Sequence, residues 1–381
     1  MNVVVAIDSF KGSMTSMQAG KSTAAGIKRV FPDAEVTVHP LADGGEGTVE
    51  ALTTGCDGTL TAVTVTGPLG RPVLCQYGIL EKTKTALIEM SGAAGITLIS
   101  EQERNPLATT TYGVGEVIRD AVKRGCRHFI VGIGGSATND GGIGMLQALG
   151  FGFFDKNGVP IRFGASGLAD LCTITDDNVL PELSECTFRI ACDVNNPLCG
   201  ENGCSAVFGP QKGATPSMIT EMDRFLSDYA VLARKKYEKA DPCHAGAGAA
   251  GGLGFAFLTF LNATLESGIQ IVLDETHLSD YIRQADIVVT GEGRLDGQTV
   301  MGKAPIGVAK IAKSFGKPVI AFSGCVTKEA SSCNQAGIDA FFPILRSVVS
   351  KEDAKNPQNA GQNLSDTTEQ VFRVIRTFSE I

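Results

Sequence analysis

Apolar and polar positions along the chain follow two different periods. The opening run "NVVVAIDSF" is apolar up to Asp8 and Ser9, which predicts a buried strand. "SMTSMQAGKSTAAGIKRVF" repeats its apolar positions at helical spacing, with Ser13 as the expected N-cap. "AEVTVHPL" predicts a second strand, followed by the loop "ADGGEGT". Strand, helix, strand and loop in this order predict a parallel sheet.

The pattern changes near Gly67. From there to Ser91, strand-like pieces and turns follow one another without a helix, as in antiparallel hairpins. A helix ("YGVGEVIRDAVKRG"), a strand ("HFIVGI") and the loop "GGSATNDGG" come next. "TFRIACDVNNP" predicts a strand ending in a polar loop. Residues 216–239 predict a charged surface helix, and "GGLGFAFLTFLNATLESG" a buried one. From Ala285 the first pattern returns: "ADIVVTGEG", a helix over 305–315, "KPVIAFSG", "IDAFFPIL" and a last helix over 365–379. "KNPQNAGQNLSDTT" is expected to be a polar loop. The resulting architecture is α/β with two domains. One is a parallel-sheet domain of residues 1–67 plus 285–381, and the other is an inserted mixed α/β domain of residues 68–284. Two-domain enzymes often bind small molecules in the intervening cleft.

Composition narrows the functional classes. The 381 residues carry a net charge of −8 with no long basic run, which argues against nucleic acid as a partner. No apolar run approaches the ~18 residues of a membrane span. The N-terminus lacks a basic n-region and reads as a strand, not a signal peptide. Eleven cysteines without paired spacing suggest reduced thiols and a cytoplasmic protein. Cys186, Cys192, Cys199 and Cys204 lie close in sequence, but their gaps do not match the C-x2–4-C pairs of structural zinc sites. Forty-six glycines, clustered and not periodic, point to several functional loops.

Familiar motifs fail on inspection. "AGKST" lacks the first glycine of a Walker A loop, having Thr15 there, and it lies inside a helical pattern. "GAGAAG" fits G-x-G-x-x-G but follows no strand, whereas "GIGGSA" does follow one and is the better of two weak dinucleotide matches. The G-x-S-x-G elbow breaks at Thr138, and none of the four histidines has a catalytic setting. What recurs is a set of strand-end loops mixing glycine with charge: "DSFKGS", "ADGGEGT", "GGSATNDGG", "ACDVNNP", "FGPQKGAT" and "GEGRLDGQT". Such loops gather at the carboxyl edge of a parallel sheet, where ligands bind. Glycine lets backbone amides approach an anion, and helix N-termini add partial positive charge. Lys11, Lys212, Arg294 and Lys303 can neutralise phosphate or carboxylate. Asp8, Asp43, Glu46, Asp140, Asp193, Glu292 and Asp296 can hold Mg2+ or act as a base. This inventory suits phosphoryl transfer, which needs positioning and charge neutralisation more than a covalent nucleophile.

The same loops, together with "PLADGGEGTVEAL", "GIGGSATNDGGIGML", "VFGPQKGAT", "GAGAAGGLG" and "TGEGRLDGQTVMGKAPIGVAK", resemble the bacterial glycerate kinase family that lacks a P-loop. The resemblance spans essentially the whole chain, in order. It implies ATP-dependent phosphorylation of D-glycerate to 2-phosphoglycerate. It also implies a discontinuous Rossmann- or flavodoxin-like domain beside a second α/β domain, with the site between them. Ile7, Gly297 and Met301 depart from residues common in the family.

On this footing Asp193 is the expected base and Asp296 the second choice, with Lys11 assisting. Arg294 is expected to grip the glycerate carboxylate, with Ser9, Asn139, Asn195 and Gln298 completing the substrate contacts. Gly44, Gly45, Gly134, Gly135, Ser136, Thr138, Gly291, Gly293 and Lys303 are assigned to phosphate and nucleotide. Asp8, Asp43 and Glu46 are assigned to Mg2+. The glycine loop around Ser136 is expected to face "DSFKGS" and "GEGRLDGQT" across the gap. The partners are then D-glycerate and ATP, for a monomer or homodimer. An NAD(P)-dependent oxidoreductase of a small hydroxy acid and a non-catalytic small-acid or nucleotide sensor are the alternatives.

Overall fold

The computed structural model describes every residue except Asp43, Gly44, Glu46, Glu380 and Ile381. Thirteen strands are present among the described residues: β1 (Asn2–Ile7), β2 (Glu35–Pro40), β3 (Thr59–Thr66), β4 (Pro72–Leu80), β5 (Thr85–Glu89), β6 (His128–Gly132), β7 (Gly152–Phe154), β8 (Thr173–Thr175), β9 (Thr187–Ala191), β10 (Ala263–Glu266), β11 (Ile287–Leu295), β12 (Val319–Val326) and β13 (Ala340–Pro343). They divide between two compact units. The first holds Met1–Asp43, Glu50–Cys56 and Ile269–Ile381, and the second Gly44–Val49 and Asp57–Gly268. The expected bounds differ from these units at three stretches, 44–49, 57–67 and 269–284. β3 pairs along its whole length with β4 and so belongs to the second unit, and the helices between Gly268 and Gln284 belong to the first.

In the first unit five parallel strands take the order β13-β12-β11-β1-β2. Counted within the unit alone, this is the flavodoxin-like order 2-1-3-4-5. The apolar run of β1 is central, flanked by β2 and β11, and Val3, Val5 and Ile7 enter a core with Ile27, Phe322 and Phe372. The first helix is Ser16–Val30, which contains the "AGKST" look-alike. Its N-cap is Thr15, not the expected Ser13: Thr15 accepts from the Gln18 amide at 3.2 Å while the Gln18 side chain accepts from the Thr15 amide at 2.9 Å. The expected polar loop before residue 365 is helical. The last helix is Pro357–Ser379, and it covers Ser16–Val30 so closely that a Cβ on Gly26 would collide with the Ser365 carbonyl oxygen.

The second unit carries a mixed six-stranded sheet, β10-β9-β6-β5-β4-β3. β5, β6, β9 and β10 run parallel, and β4 and β3 continue as an antiparallel hairpin at one edge. Its core includes Phe129 stacked on Phe188 at 4.6 Å, with Tyr229 and Phe257 beyond. The helix expected from "GGLGFAFLTFLNATLESG" stops at Phe260, and Ala263–Glu266 forms β10. The surface helix is Pro216–Arg234, with Met222, Phe225, Leu226 and Tyr229 buried along one face. No helix among the described residues is long and apolar enough to cross a membrane.

Candidate active site

In a doubly wound sheet the strand order reverses at one point, and loops leaving the carboxyl ends there splay apart to leave a crevice. In the first unit that point lies between β1 and β11. β1 ends at Ile7, and the next residue, Asp8, donates its amide to the Gly291 carbonyl at 2.9 Å. The buried Asp8 carboxylate accepts from the Ser9 amide at 2.6 Å. Gly291 leaves no room for a side chain, since a Cβ would collide with the Phe322 carbonyl oxygen. A Cβ on Gly293 would lie 3.4 Å from the Cα of Phe10 and 3.5 Å from the Lys11 nitrogen, so "DSFKGS" and "GEGRLDGQT" are neighbours.

The charged groups of β11 and its loop form a cluster. Lys303, at the N-cap of helix Ala304–Ser314, places its ammonium 3.6 Å from Glu292 and 3.8 Å from Asp296. The Arg294 guanidinium lies 3.3 Å from Asp296 and is itself mostly exposed. Asp296 also accepts from the Gln298 amide at 2.9 Å. Glu292 is buried and accepts from the Thr299 hydroxyl at 2.7 Å. Burial pushes its carboxyl above the usual glutamate range, and the Thr299 hydroxyl and Lys303 oppose the rise. Gln298 and Met301 are exposed.

The second unit has its own carboxyl edge. Glu89, Gly132, Ala191 and Glu266 stand at matched register at the ends of β5, β6, β9 and β10. The glycine loop after β6 is clamped from beneath: the Ala137 amide donates to the Ala94 carbonyl at 2.9 Å, and the Ile96 amide to the Gly135 carbonyl at 2.9 Å. Gly135 takes φ +73°, which favours glycine, and a Cβ on Gly251 would collide with the Thr138 carbonyl oxygen. "GAGAAG" therefore packs against the loop as a support. A Cβ on Gly134 would lie 3.7 Å from the Cα of Gly45.

Several expected ligand contacts on this loop face inward. Ser136, Thr138 and Asn139 are all buried, Ser136 at 7% exposed and the other two at 0%, so the expected ligand contacts of Thr138 and Asn139 do not match this geometry and Ser136 alone of the three keeps some exposed surface. The Asn139 amide donates to the Ser205 hydroxyl at 2.9 Å. Asp140 is an internal brace, accepting from the Thr111 amide at 2.8 Å, the Thr111 hydroxyl at 2.9 Å and the Gly142 amide at 3.1 Å. Burial pushes its carboxyl up and those hydrogen bonds oppose the shift. Asp193 follows β9 and is exposed, accepting from the Gly268 amide at 3.2 Å; Asn195 is exposed beside it.

Asp43, Gly44 and Glu46 lie outside the described residues. Among the described residues no group of three or more His, Cys, Asp or Glu is gathered as a metal site, and none of the cysteines is in a disulfide. Sequence reading missed one carboxylate: Glu89, at the end of β5, accepts from the Val49 amide at 2.8 Å. Its signal was a lone acidic residue closing the apolar run "TALIE".

The family model described as "Glycerate kinase family" matches residues 3–376. The chain is 49% identical over 375 residues to a glycerate kinase of Haemophilus influenzae, covering 98% of this chain and 99% of that one. It is 46% identical over 354 residues to the glycerate 2-kinase of Escherichia coli K12, covering 93% of each. The crystal structure described as "putative glycerate kinase 2 from Salmonella typhimurium LT2" superposes with a TM-score of 0.91 at 43% identity, over the full length of both chains.

Proposed function

The chain belongs to the glycerate kinase family, and on that premise we propose that it transfers a phosphoryl group from Mg-ATP to C2 of D-glycerate, releasing 2-phospho-D-glycerate and ADP. The observation that carries the reading is the cluster at the switch point of the first unit. There Lys303 and Arg294 meet Glu292 and Asp296 beside Asp8 and the "DSFKGS" turn. Two cations beside carboxylates at the strand ends suit anionic substrates, since phosphoryl transfer depends on positioning and on neutralising charge.

In this reading Arg294 grips the glycerate carboxylate, because its exposed guanidinium fork can bind bidentately while Asp296 steadies it. Lys303, Lys11 and the backbone of Gly45, Gly134, Gly135, Gly291 and Gly293 receive phosphate oxygens. Gly44 belongs with them. Ser136 donates its hydroxyl. Ser9, Gln298 and Asn195 add polar contacts. Asp193 is the base that accepts the C2 hydroxyl proton, being exposed at a strand end. Asp296 is the second choice, because Arg294, Lys303 and the Gln298 amide already engage its carboxylate.

Mg2+ in such sites is held by carboxylates together with substrate phosphates. Asp8, with Asp43 and Glu46, would hold it, and when bound it would neutralise charge on the transferred phosphoryl group. Reduced cysteines fit a cytoplasmic enzyme.

The test is ADP release with D- and L-glycerate, followed by addition of enolase, which dehydrates 2-phosphoglycerate directly. ADP release with immediate enolase turnover is expected. NAD(P)H absorbance change without ADP would indicate an oxidoreductase, and ligand binding without ADP a sensor; either refutes the proposal.

A further inference from the structure

Lys212 is a buried ammonium behind the glycine loop. It ends the short turn Pro210–Lys212 and is only 2% exposed. Its Nζ donates to the Ser136 hydroxyl oxygen at 2.7 Å and to the Thr138 carbonyl at 2.6 Å. Among the described residues no carboxylate lies within ion-pairing distance. Asp140, the nearest acidic group on the loop, is engaged by Thr111 and Gly142. Cys204, on helix Cys204–Phe208, is the other titratable group acting on it, and the Arg104 guanidinium reaches the neighbouring Gln211 carbonyl at 3.4 Å. A buried cation without an anion is destabilising, so its retention implies a use.

The hydrogen-bond directions point to that use. An ammonium only donates, so the Ser136 oxygen accepts from Lys212 and its own hydrogen must point away from the ammonium. A hydroxyl accepting from a cation is also a stronger donor.

We propose that Lys212 is a positioning residue for phosphoryl transfer: it fixes the Ser136 hydroxyl as an outward donor to an anionic oxygen of the substrates and places a positive charge behind the glycine loop. This rests on the reading that the loop handles phosphate or carboxylate. Lys212 acts through Ser136 and touches no substrate itself. Burial depresses its pKa to about 8, so the ammonium is lost in mildly alkaline solution.

The experiment compares Lys212→Met, Ser136→Ala and the double variant by ADP release, with kcat and KM for D-glycerate and ATP measured from neutral to alkaline pH. Each single variant is expected to lower kcat/KM by about tenfold to a hundredfold, as for loss of one preorganised donor. The double variant is expected to match the worse single one, since both break the same contact. In the wild type kcat/KM should fall above about pH 8 as Lys212 deprotonates. Ser136→Ala, which keeps the lysine, should flatten that limb, and this measurement stands even where Lys212→Met does not fold. Losses that multiply in the double variant, or an alkaline limb unchanged in Ser136→Ala, would overturn the role of Lys212 alone. An active enzyme in which Ser136→Ala keeps wild-type kcat/KM would overturn the loop's anion-handling role as well.

Discussion

Replacing Lys303 by methionine removes one charge from the centre of the acidic cluster while keeping the length of the side chain. The ammonium lies 3.6 Å from Glu292 and 3.8 Å from Asp296. At an effective dielectric near 20, each such contact is worth about 4 kcal/mol before solvent screening. Lys303 is one-third exposed, so water takes back much of this, and a net stability loss of about 2 kcal/mol is expected. The loss should depend on pH in a particular direction. Glu292 has a raised pKa, so the folded protein binds its proton more tightly than the unfolded chain does, and stability falls as pH rises through the carboxylate range. Removing Lys303 takes away one of the influences holding that pKa down. The stability gap between variant and wild type should therefore be smaller near about pH 4 than near about pH 7. In catalysis, loss of a phosphate-directed cation should cost about 2–4 kcal/mol in the transition state, or about 30- to 1,000-fold in kcat/KM. Urea unfolding at both pH values and the ADP-release assay measure the two effects. A stability gap that is the same at both pH values would refute the electrostatic account of Glu292. A kcat/KM within about twofold of wild type would refute the role of Lys303 at phosphate.

Three further substitutions bear on separate points. Asp193→Asn should lower kcat by at least about a hundredfold, with KM for both substrates little changed; near-normal kcat in steady-state assays would remove Asp193 as the base. Arg294→Lys keeps the charge but loses the fork, so KM for D-glycerate should rise well above any change in KM for ATP, and the opposite pattern would defeat the assignment. Gly26→Ala inserts a methyl against the Ser365 carbonyl between two packed helices and should destabilise the fold by about 1–3 kcal/mol in urea unfolding, with unaltered kcat in the fraction that remains folded.

The parallel strands of the first unit were legible because their apolar runs end in glycine and charge, as "NVVVAIDSF" and "ADIVVTGEG" do. The helix over residues 357–364 was not. Its polar side chains carry little helical signal, and it forms because Ala360, Leu364 and Phe372 close over Ile27 and Gly26. β10 was hidden because four residues after an apolar helix are too few to show a period of two. At the site, the clustering of Lys303, Arg294, Glu292 and Asp296 followed from their closeness in sequence. That Thr138, Asn139 and Asp140 would turn inward could not be read, because "GGSATNDGG" is equally polar whichever way its side chains point. The burial of Lys212 had no local signal either, since it depends on a loop distant in sequence.

The position of β1 at the centre of the first sheet has a consequence for how the protein is made. β1 is synthesised before β11, and the two neighbours are separated in the chain by the whole second unit. During synthesis β1 and β2 must wait as a two-stranded fragment with an apolar edge open, while most of the second unit, Asp57–Gly268, can already fold from continuous chain. Until β11 arrives, the edge of β1 that pairs with it stays uncovered, and an uncovered apolar edge is a template on which chains can associate.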